Sequence, residues 1–394
     1  MDKIEELLTR GVENIYPDKE TLEKVLRSGK KIKLYQGFDP TGPQLHIGHM
    51  AGLMKLRQFQ KLGHKVIFLI GDVTATIGDP SGKTTARKVL SREEVNENAK
   101  NYTKQASKIL DFEGENPVEV KFNSEWFDKM SALEFAAITH HLTYAQISER
   151  DLFQERKKAN QDVYMNEFFY PLLQAYDSVA MDIDLEVGGN DQMFNMMMGR
   201  KLIRNMKQKE KFVMTLSLLS DAQGKKIGKT EGNVIALDSK SEDLYGMIMK
   251  LPDEVIIKCF ELITEVDLAD IERIKNEISG GENPMKFKRD LAYELVRMLN
   301  NEEAAKSAAE HFDIVVRAKE TPEDILEKEV DSKTIVDLLV EVGFASSKSD
   351  AKRLLDQRAV KIDGEETSAE QSFETGESFV LKSGKLKFIR VKVK

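Results

Sequence analysis

Two histidines, His46 and His49, stand three residues apart in "GFDPTGPQLHIGHM", directly after a Pro/Gly-rich turn. Three kinds of chemistry fit that spacing. The imidazoles can share a helical face and hold a metal, they can be packing residues, or they can meet a phosphate chain at a helix start. Zinc usually takes three or four protein ligands, and no third lies nearby in the sequence. The usual zinc-protease pattern also spaces its histidines four apart, with Glu after the first. No protein metal site is therefore expected. The phosphate reading has more behind it. The first four N–H groups of a helix lack intrahelical partners and carry the positive end of its dipole. Gly48 would let the backbone come close to a ligand, and Thr41 adds a hydroxyl on the preceding turn.

Three further stretches carry chemistry. "GDPSGKTTAR" (78–87) resembles a phosphate-binding loop, but position 77 is Ile, so the glycine spacing fails by one. Lys83 and Arg87 can still reach an anion from such a loop; a solvated loop is the alternative. In "QGKKIGKTEGN", Gly224, Gly228 and Gly232 free the backbone, and Lys226 and Lys229 can converge on one anion, although Lys/Gly loops are common. In "FFYPLLQAYDSVAM", Tyr170, Gln174 and Asp177 follow i, i+4, i+7 and form one polar stripe on an apolar helix that Pro171 would open. Burying such a stripe requires partners, either a polar ligand or the neighbouring chain.

The elements that must hold these residues read as α/β. "KIKLYQGFD" is strand-like, "HIGHMAGLMKLRQFQKLG" is helical up to Gly63, and "KVIFLIGD" is a continuous apolar strand of the kind buried in a parallel sheet. "PVEVKFNS" and "DLEVGG" read as further strands, and "SALEFAAITHHLTYAQI" as a helix between them. This alternation predicts a Rossmann-like, doubly wound parallel sheet, whose ligands lie beyond the carboxyl ends of the strands. The N-terminal "MDKIEELLTRGVENIY" has helical spacing at Ile4, Leu7, Leu8 and Val12, unlike a secretory signal. From Asp238 to about Phe312 the pattern is all-helical, and "RAKETPEDILEKEVDSK" reads as a linker. The last 60-odd residues read as two helices and short strands, a small α+β domain. The expected organisation is a catalytic domain over 1–222, a signature loop over 223–237, a helical domain over 238–316, a linker over 317–331 and a final domain over 332–394.

Composition narrows the class. The chain has 394 residues, 41% apolar and 32% charged, and its longest strongly apolar run, "VIFLI", is far too short to cross a membrane. A single cysteine, Cys259, forbids an intrachain disulfide and suits a reducing cytoplasm. A net charge of −8 argues against indiscriminate binding of nucleic acid, and no DNA partner is expected. From Ser332 onward, however, 12 Lys/Arg stand against 10 Asp/Glu, and the final "KSGKLKFIRVKVK" holds six basic residues and no acid. A bulge near Phe388-Ile389 would gather Lys385, Lys387, Arg390, Lys392 and Lys394 on one face of the last strand. Such an end suits RNA; a solvated strand is the other reading.

Taken together, "HIGH" at 46–49 and "KIGKT" at 226–230 resemble the paired signatures of the class I aminoacyl-tRNA synthetases. "LYQGFDPTGPQLHIGH", "IGDPSGK", "YPLLQAYD" and "GGNDQ", in that order, are similar to the tyrosyl-tRNA synthetase family, as is "NPMKFKRDLAYELV" in the helical part. "SKSDAKRLLDQRAVKIDG" resembles the S-four-like RNA-binding domain shared with a ribosomal small-subunit protein, which makes Lys348, Lys352, Arg353 and Arg358 candidate tRNA contacts. The resemblance implies that L-tyrosine is activated by ATP to tyrosyl-adenylate and then passed to tRNA(Tyr). It implies Tyr35 and Asp177 at the phenolic hydroxyl, Asp79, Tyr170 and Gln174 around the ammonium, and Gln192 near the carboxylate. Asn123 and Trp126 fall where the family supports the phenol end, or are structural. Thr41, His46, His49, Lys83, Arg87, Lys226, Lys229 and Thr230 would serve the phosphates and the transition state. Gly37, Asp39, Gly48, Gly189 and Asp191 would line the rest of the ATP site. Magnesium would accompany ATP, and the enzyme would be a cytoplasmic homodimer. Ile-Gly-Lys-Thr departs from the general Met-Ser-Lys-Ser, with both lysines kept. A tryptophanyl relative lacks the Asp177-type acceptor; a non-catalytic tRNA-binding relative predicts decay of phosphate-facing groups that are all present. A small-molecule nucleotidyltransferase leaves the C-terminal segment unexplained.

Overall fold

The computed structural model describes residues 2–81, 90–148, 151–221, 223–224, 227, 229–230, 233–320, 327–384 and 387–394. Lys83, Arg87, Lys226 and Lys385 lie outside them. The chain forms two compact units, Met1–Ala308 and Ala309–Lys394, divided within the helix Glu302–Glu320. Of the segment read as a linker, residues 317–320 continue that helix and Glu327–Val330 is a strand, while 321–326 lie outside the described residues.

The first unit is built on six strands: β1 (Val12–Tyr16), β2 (Lys33–Phe38), β3 (Lys65–Ile70), β4 (Glu119–Phe122), β5 (Leu185–Gly189) and β6 (Phe212–Leu216). Their spatial order is β1-β6-β5-β2-β3-β4, parallel throughout except for β1, which runs antiparallel to β6. The chain winds from β2 to β4 on one side and returns to lay β5 and β6 on the other. The carboxyl ends of β2 and β5 therefore border a crevice at the point where the winding reverses, the usual ligand position in such sheets. β3 is buried along its whole length after Lys65, as its unbroken apolar run requires. Each such Leu, Ile or Phe side chain contributes about 1.5–3 kcal/mol on removal from water.

Three expectations are corrected. The N-terminal helix stops at Thr9 and Val12–Tyr16 is an edge strand; Gly11, at φ +64°, turns the chain where helical spacing had run on to Val12. The helix carrying the polar stripe starts at Met165, so Pro171 lies inside it and does not open it. The stretch read as one helix after Ser131 is two, Ala132–Thr139 and Tyr144–Ser148.

The helical segment Ser241–Leu299 packs within the same unit as the sheet, and the buried Arg10, itself held by Lys55, helps to join them. Arg10 donates to the carbonyls of Phe260, Glu261 and Thr264 at the end of the helix Ile256–Ile263, at 2.8–3.1 Å. Lys55 donates to those of Leu7 and Arg10 at 2.7 and 2.9 Å, and burial pushes its ammonium down to about 7. Cations at helix carboxyl ends satisfy orphan carbonyls and the dipole together.

The second unit has five strands, β9 (Glu327–Val330), β10 (Val360–Ile362), β11 (Glu365–Glu366), β12 (Ser378–Ser383) and β13 (Lys387–Val393), in the order β11-β10-β12-β13-β9. Their inner face packs Leu381 and Val391 against Leu338, Leu339 and Leu355 of two helices. The expected bulge is absent: pairing runs unbroken from Ser383–Lys387 to Ser378–Lys392. Ile389, Val391 and Val393 face the core, which leaves Arg390, Lys392 and Lys394 on the opposite parity.

His64 supplies a test of this fold. Its Nδ1 accepts from the Ile32 N–H at 3.3 Å, and burial, aided by Lys31, lowers its pKa to about 4. The unfolded chain binds this proton near pH 6.5. The His64 contribution is therefore complete above pH 6.5 and declines as pH falls toward 4. His64→Gln, which keeps an acceptor, should remove about 1–3 kcal/mol of acid sensitivity between those values, read from urea unfolding across the range.

Candidate functional site

His46 is the N-cap of the helix Ile47–Lys61. Its Nδ1 accepts from the Gly48 N–H at 3.1 Å, and His49 Nδ1 accepts from the His46 N–H at 3.0 Å. The two imidazoles thus act as the two halves of a capping box, their ring centres 3.9 Å apart. An accepting Nδ1 leaves the proton of a neutral imidazole on Nε2. Both rings thereby become Nε2–H donors at a helix start, which suits an anion and not a cation. Gly48 is required here: a Cβ would stand 2.9 Å from His46 Cε1 and Nδ1.

Behind this helix start lies a cavity of about 660 Å³ between the carboxyl ends of β2 and β5, a size that suits a small-molecule ligand. It brings together Thr41, His46, Gly48 and His49 of the helix-start segment with Tyr35, Tyr170, Gln174 and Asp177. Asp79, Gly189, Asp191, Gln192, Gly37 and Asp39 also line it. The i, i+4, i+7 stripe faces the cavity, as its spacing on a helix predicts. Tyr170 donates to Asp39 Oδ2 at 2.8 Å and Thr74 to Asp39 Oδ1 at 2.7 Å. Asp79 accepts from the Ser81 N–H at 2.8 Å and from Gln192 Nε2 at 2.7 Å. The acids are thus held in place by neutral donors.

Asp177 is wholly buried, and burial drives its carboxyl well above the usual range. Donors from Trp126 and Asn123 oppose that rise; Trp126 Nε1 gives its N–H to Asp177 Oδ1 at 3.0 Å. Burial likewise raises the Tyr35 hydroxyl, with Glu186 and Asp177 adding to it. Tyr35 Oη lies 3.1 Å from Ser178 Oγ.

Sequence reasoning missed the support beneath this wall. Glu186 stands beside Tyr35 in the β2–β5 register, and Lys211, just before β6, forms an ion pair with it. Ser178 and Gln174 bond to the same carboxylate, at 3.3 and 3.0 Å. The available signal was one charge inside the otherwise apolar "LEVGG" and another abutting "FVMTL".

Of the signature loop, Lys229–Thr230 and Asn233–Val234 pair as a short hairpin, and Ile227 and Val234 border the cavity. Just beyond, Ile47 N–H donates to Ile235 O at 3.0 Å and Leu237 N–H to Leu45 O at 2.9 Å, so the loop's exit is stitched to the His46 segment. In the second unit, Lys348, Lys352 and Arg353 lie on the helix Lys348–Asp356, and Arg358 follows it with φ +52°. Lys348 pairs with Asp337 and Arg353 with Asp350, both largely in solvent.

Gly48→Ala should push the His46 ring off its cap. We expect about tenfold weaker binding of inorganic pyrophosphate by calorimetry, with the far-ultraviolet spectrum unchanged.

Residues 27–317 match the family of class I tRNA synthetases (W and Y), and residues 334–370 match the S4 domain. The chain is 44% identical to the tyrosine–tRNA ligase of Thermotoga maritima, over 98% of this chain and 96% of that one. It is 40% identical to that of Francisella tularensis, over 99% and 98%. Among solved structures, a C-terminally truncated mitochondrial tyrosyl-tRNA synthetase of Aspergillus nidulans shares the fold with a TM-score of 0.68 at 22% identity, covering 79% of this chain and 94% of that one. The tyrosyl-tRNA synthetase of Archaeoglobus fulgidus complexed with L-tyrosine does so at 0.61 and 22%, covering 78% and 100%. With its sheet, its helix-start histidines and these full-length relatives, the chain belongs to the tyrosyl-tRNA synthetases, a family of class I aminoacyl-tRNA synthetases, and carries an S4 domain over residues 334–370.

Proposed function

We infer that this chain activates L-tyrosine with ATP and transfers it to tRNA(Tyr). The observation that carries the reading is the single cavity whose two ends differ in chemistry: imidazole N–H donors at a helix start, and a buried carboxylate with a phenol at the far wall. Tyrosine would place its hydroxyl between Tyr35 and Asp177, its ammonium among Asp79, Tyr170 and Gln174, and its carboxylate near Gln192. A site that buries polar groups for a hydroxyl leaves them unpaired when phenylalanine enters, which penalises that substrate.

No enzyme nucleophile is needed. The tyrosine carboxylate attacks the α-phosphorus of ATP in line and pyrophosphate leaves, so catalysis consists of positioning and of stabilising the charge that grows on the leaving group. Thr41 and His46 would take the γ-phosphate region, and His49 the ribose side with Gly189 and Asp191. Gly37, Asp39 and Gly48 would border the nucleotide. Lys83, Arg87, Lys226 and Lys229, with Thr230, would close on pyrophosphate and bind it most strongly in the transition state. Among the described residues no three His, Cys, Asp or Glu gather as a metal cage. Magnesium would therefore enter as the counter-ion of the ATP phosphates, keeping its waters. The terminal ribose hydroxyl of tRNA then attacks the adenylate, with Lys348, Lys352, Arg353 and Arg358 holding the RNA. A cytoplasmic setting is supported by Cys259, buried in apolar packing that pushes its thiol up to about 12. No described helix is long and apolar enough to cross a membrane.

The assay is amino-acid-dependent ATP–pyrophosphate exchange. Tyrosine alone should support it; exchange with tryptophan instead would overturn the reading. His46→Ala should raise the barrier by about 2–4 kcal/mol. A chain ending at Ser332 should keep exchange and lose tRNA charging, and unchanged charging would remove the RNA role of the second unit.

A homodimer is supported by an apolar patch. Leu133, Tyr144, Tyr164 and Met165 are 56–83% exposed, and Phe169 beside them stands edge-on to Phe135 at 5.5 Å. These side chains lie on or beside the helices Ala132–Thr139, Tyr144–Ser148 and Met165–Ala180, the first two packing on the third, and exposed apolar residues so placed suit a second copy of the same chain. Leu133→Glu with Met165→Glu should halve the mass measured by light scattering; an unchanged mass would place the interface elsewhere.

A further inference from the structure

A buried ion pair demands a reason, because desolvating two charges costs more than their attraction returns unless their other hydrogen-bonding capacity is filled. Lys211 and Glu186 are 0% and 2% exposed. What fills their capacity is the wall of the amino-acid site. Gln174 donates Nε2 to Glu186 Oε1 at 3.0 Å, and its own Oε1 is buried with no partner. On the other flank, Lys211 Nζ donates to Ser178 Oγ at 2.9 Å, and Ser178 donates to Glu186 Oε2 at 3.3 Å. Room for the lysine head comes from the helix Met193–Lys207: a Cβ on Gly199 would stand 2.6 Å from Lys211 Nζ and 3.0 Å from Ser178 Oγ.

This arrangement has a direction. A carboxylate beside an ammonium only accepts, so it takes the amide NH₂ of Gln174 and turns the amide oxygen away from itself. A side chain at 186 able both to donate and to accept would leave that amide free to reverse, presenting NH₂ to any bound cation. The same logic runs through Ser178. Its one proton goes to Glu186, so Tyr35, 3.1 Å away, donates to Ser178 and keeps its lone pairs for another partner.

We propose that Lys211 and Glu186 are positioning residues that fix the hydrogen-bond sense of Gln174, so that its amide oxygen, and not its NH₂, meets the substrate ammonium. This rests on the reading above that Gln174 contacts that ammonium. Lys211 is fully buried behind the wall, and Glu186, though it borders the cavity, has both carboxylate oxygens taken by Gln174, Ser178 and Lys211, so the pair acts through Gln174. The ammonium keeps its charge throughout the reaction, so the contribution is uniform binding, which appears in KM and not in kcat.

The test compares L-tyrosine with 3-(4-hydroxyphenyl)propanoate, the same molecule without the ammonium, by calorimetry, together with exchange kinetics. The variant is Glu186→Gln with Lys211→Met, which removes both charges and avoids leaving one buried alone; thermal unfolding checks that it folds. Its preference for tyrosine over the deamino compound should fall about tenfold, with affinity for the deamino compound unchanged, KM for tyrosine raised and kcat retained. Gly199→Ala, which displaces the lysine head without altering charge, should move the ratio in the same direction. Equal weakening of both ligands would make the pair merely structural and overturn the proposal. Gln174→Ala separates the two levels. If it lowers the ratio while the double variant keeps the wild-type value, the relay alone fails; if Gln174→Ala leaves the ratio unchanged, the assignment of Gln174 to the ammonium fails, and the relay with it.

Discussion

The constraint on which this site depends is that acids buried together must each be given a partner. Asp39, Asp79, Asp177 and Glu186 all line one cavity. Left alone, they would repel one another and neutralise. Each receives a different remedy: a phenol and a threonine for Asp39, a backbone N–H and an amide for Asp79, an indole for Asp177, an ammonium for Glu186. Among the partners named here only the last is a full charge, and its Lys211 is 0% exposed. Asp39 and Asp79 present carboxyl groups to the cavity, which suits a substrate that brings its own cation.

The opposite end of the cavity solves the opposite problem. An incoming polyphosphate carries several negative charges, and the helix Ile47–Lys61 offers N–H groups, a dipole and two imidazoles whose tautomers are set by capping. In each histidine the two ring nitrogens divide the work: Nδ1 closes the helix start, and that closure leaves Nε2 a donor. If the proposed phosphate role holds, substituting either residue removes a cap and a ligand contact together, so activity and stability fall in one variant.

Much of this was legible in the residues. The βαβ unit, the helix beginning at His46 and the stripe of Tyr170, Gln174 and Asp177 all rest on local periodicity, which survives into the fold because each element buries the face that its spacing predicts. The errors share one cause. Val12–Tyr16 became a strand because β6 offered it an edge, Pro171 was accommodated mid-helix by tertiary packing, and Lys211 met Glu186 because β5 and β6 are neighbours. None of these partners is near in sequence, and periodicity carries no information about which distant strand lies alongside. The last strand illustrates the reverse case: its alternation continues without a bulge because the core on one side claims Ile389, Val391 and Val393.

Tyr35 lies within β2 and His46 caps the helix that follows it, with only a short turn between them. On the proposed assignment, the far wall of the amino-acid site and the phosphate end of the cavity lie on one continuous piece of backbone, pinned further by the bond from Ile47 to Ile235. That piece behaves as a ruler. On that assignment the reach from phenol to carboxylate is set by this piece, so an amino acid one methylene longer would present its carboxylate out of line with the α-phosphorus even where every polar contact of its side chain was satisfied. Selection by length is then built into the scaffold, separate from any recognition of the hydroxyl.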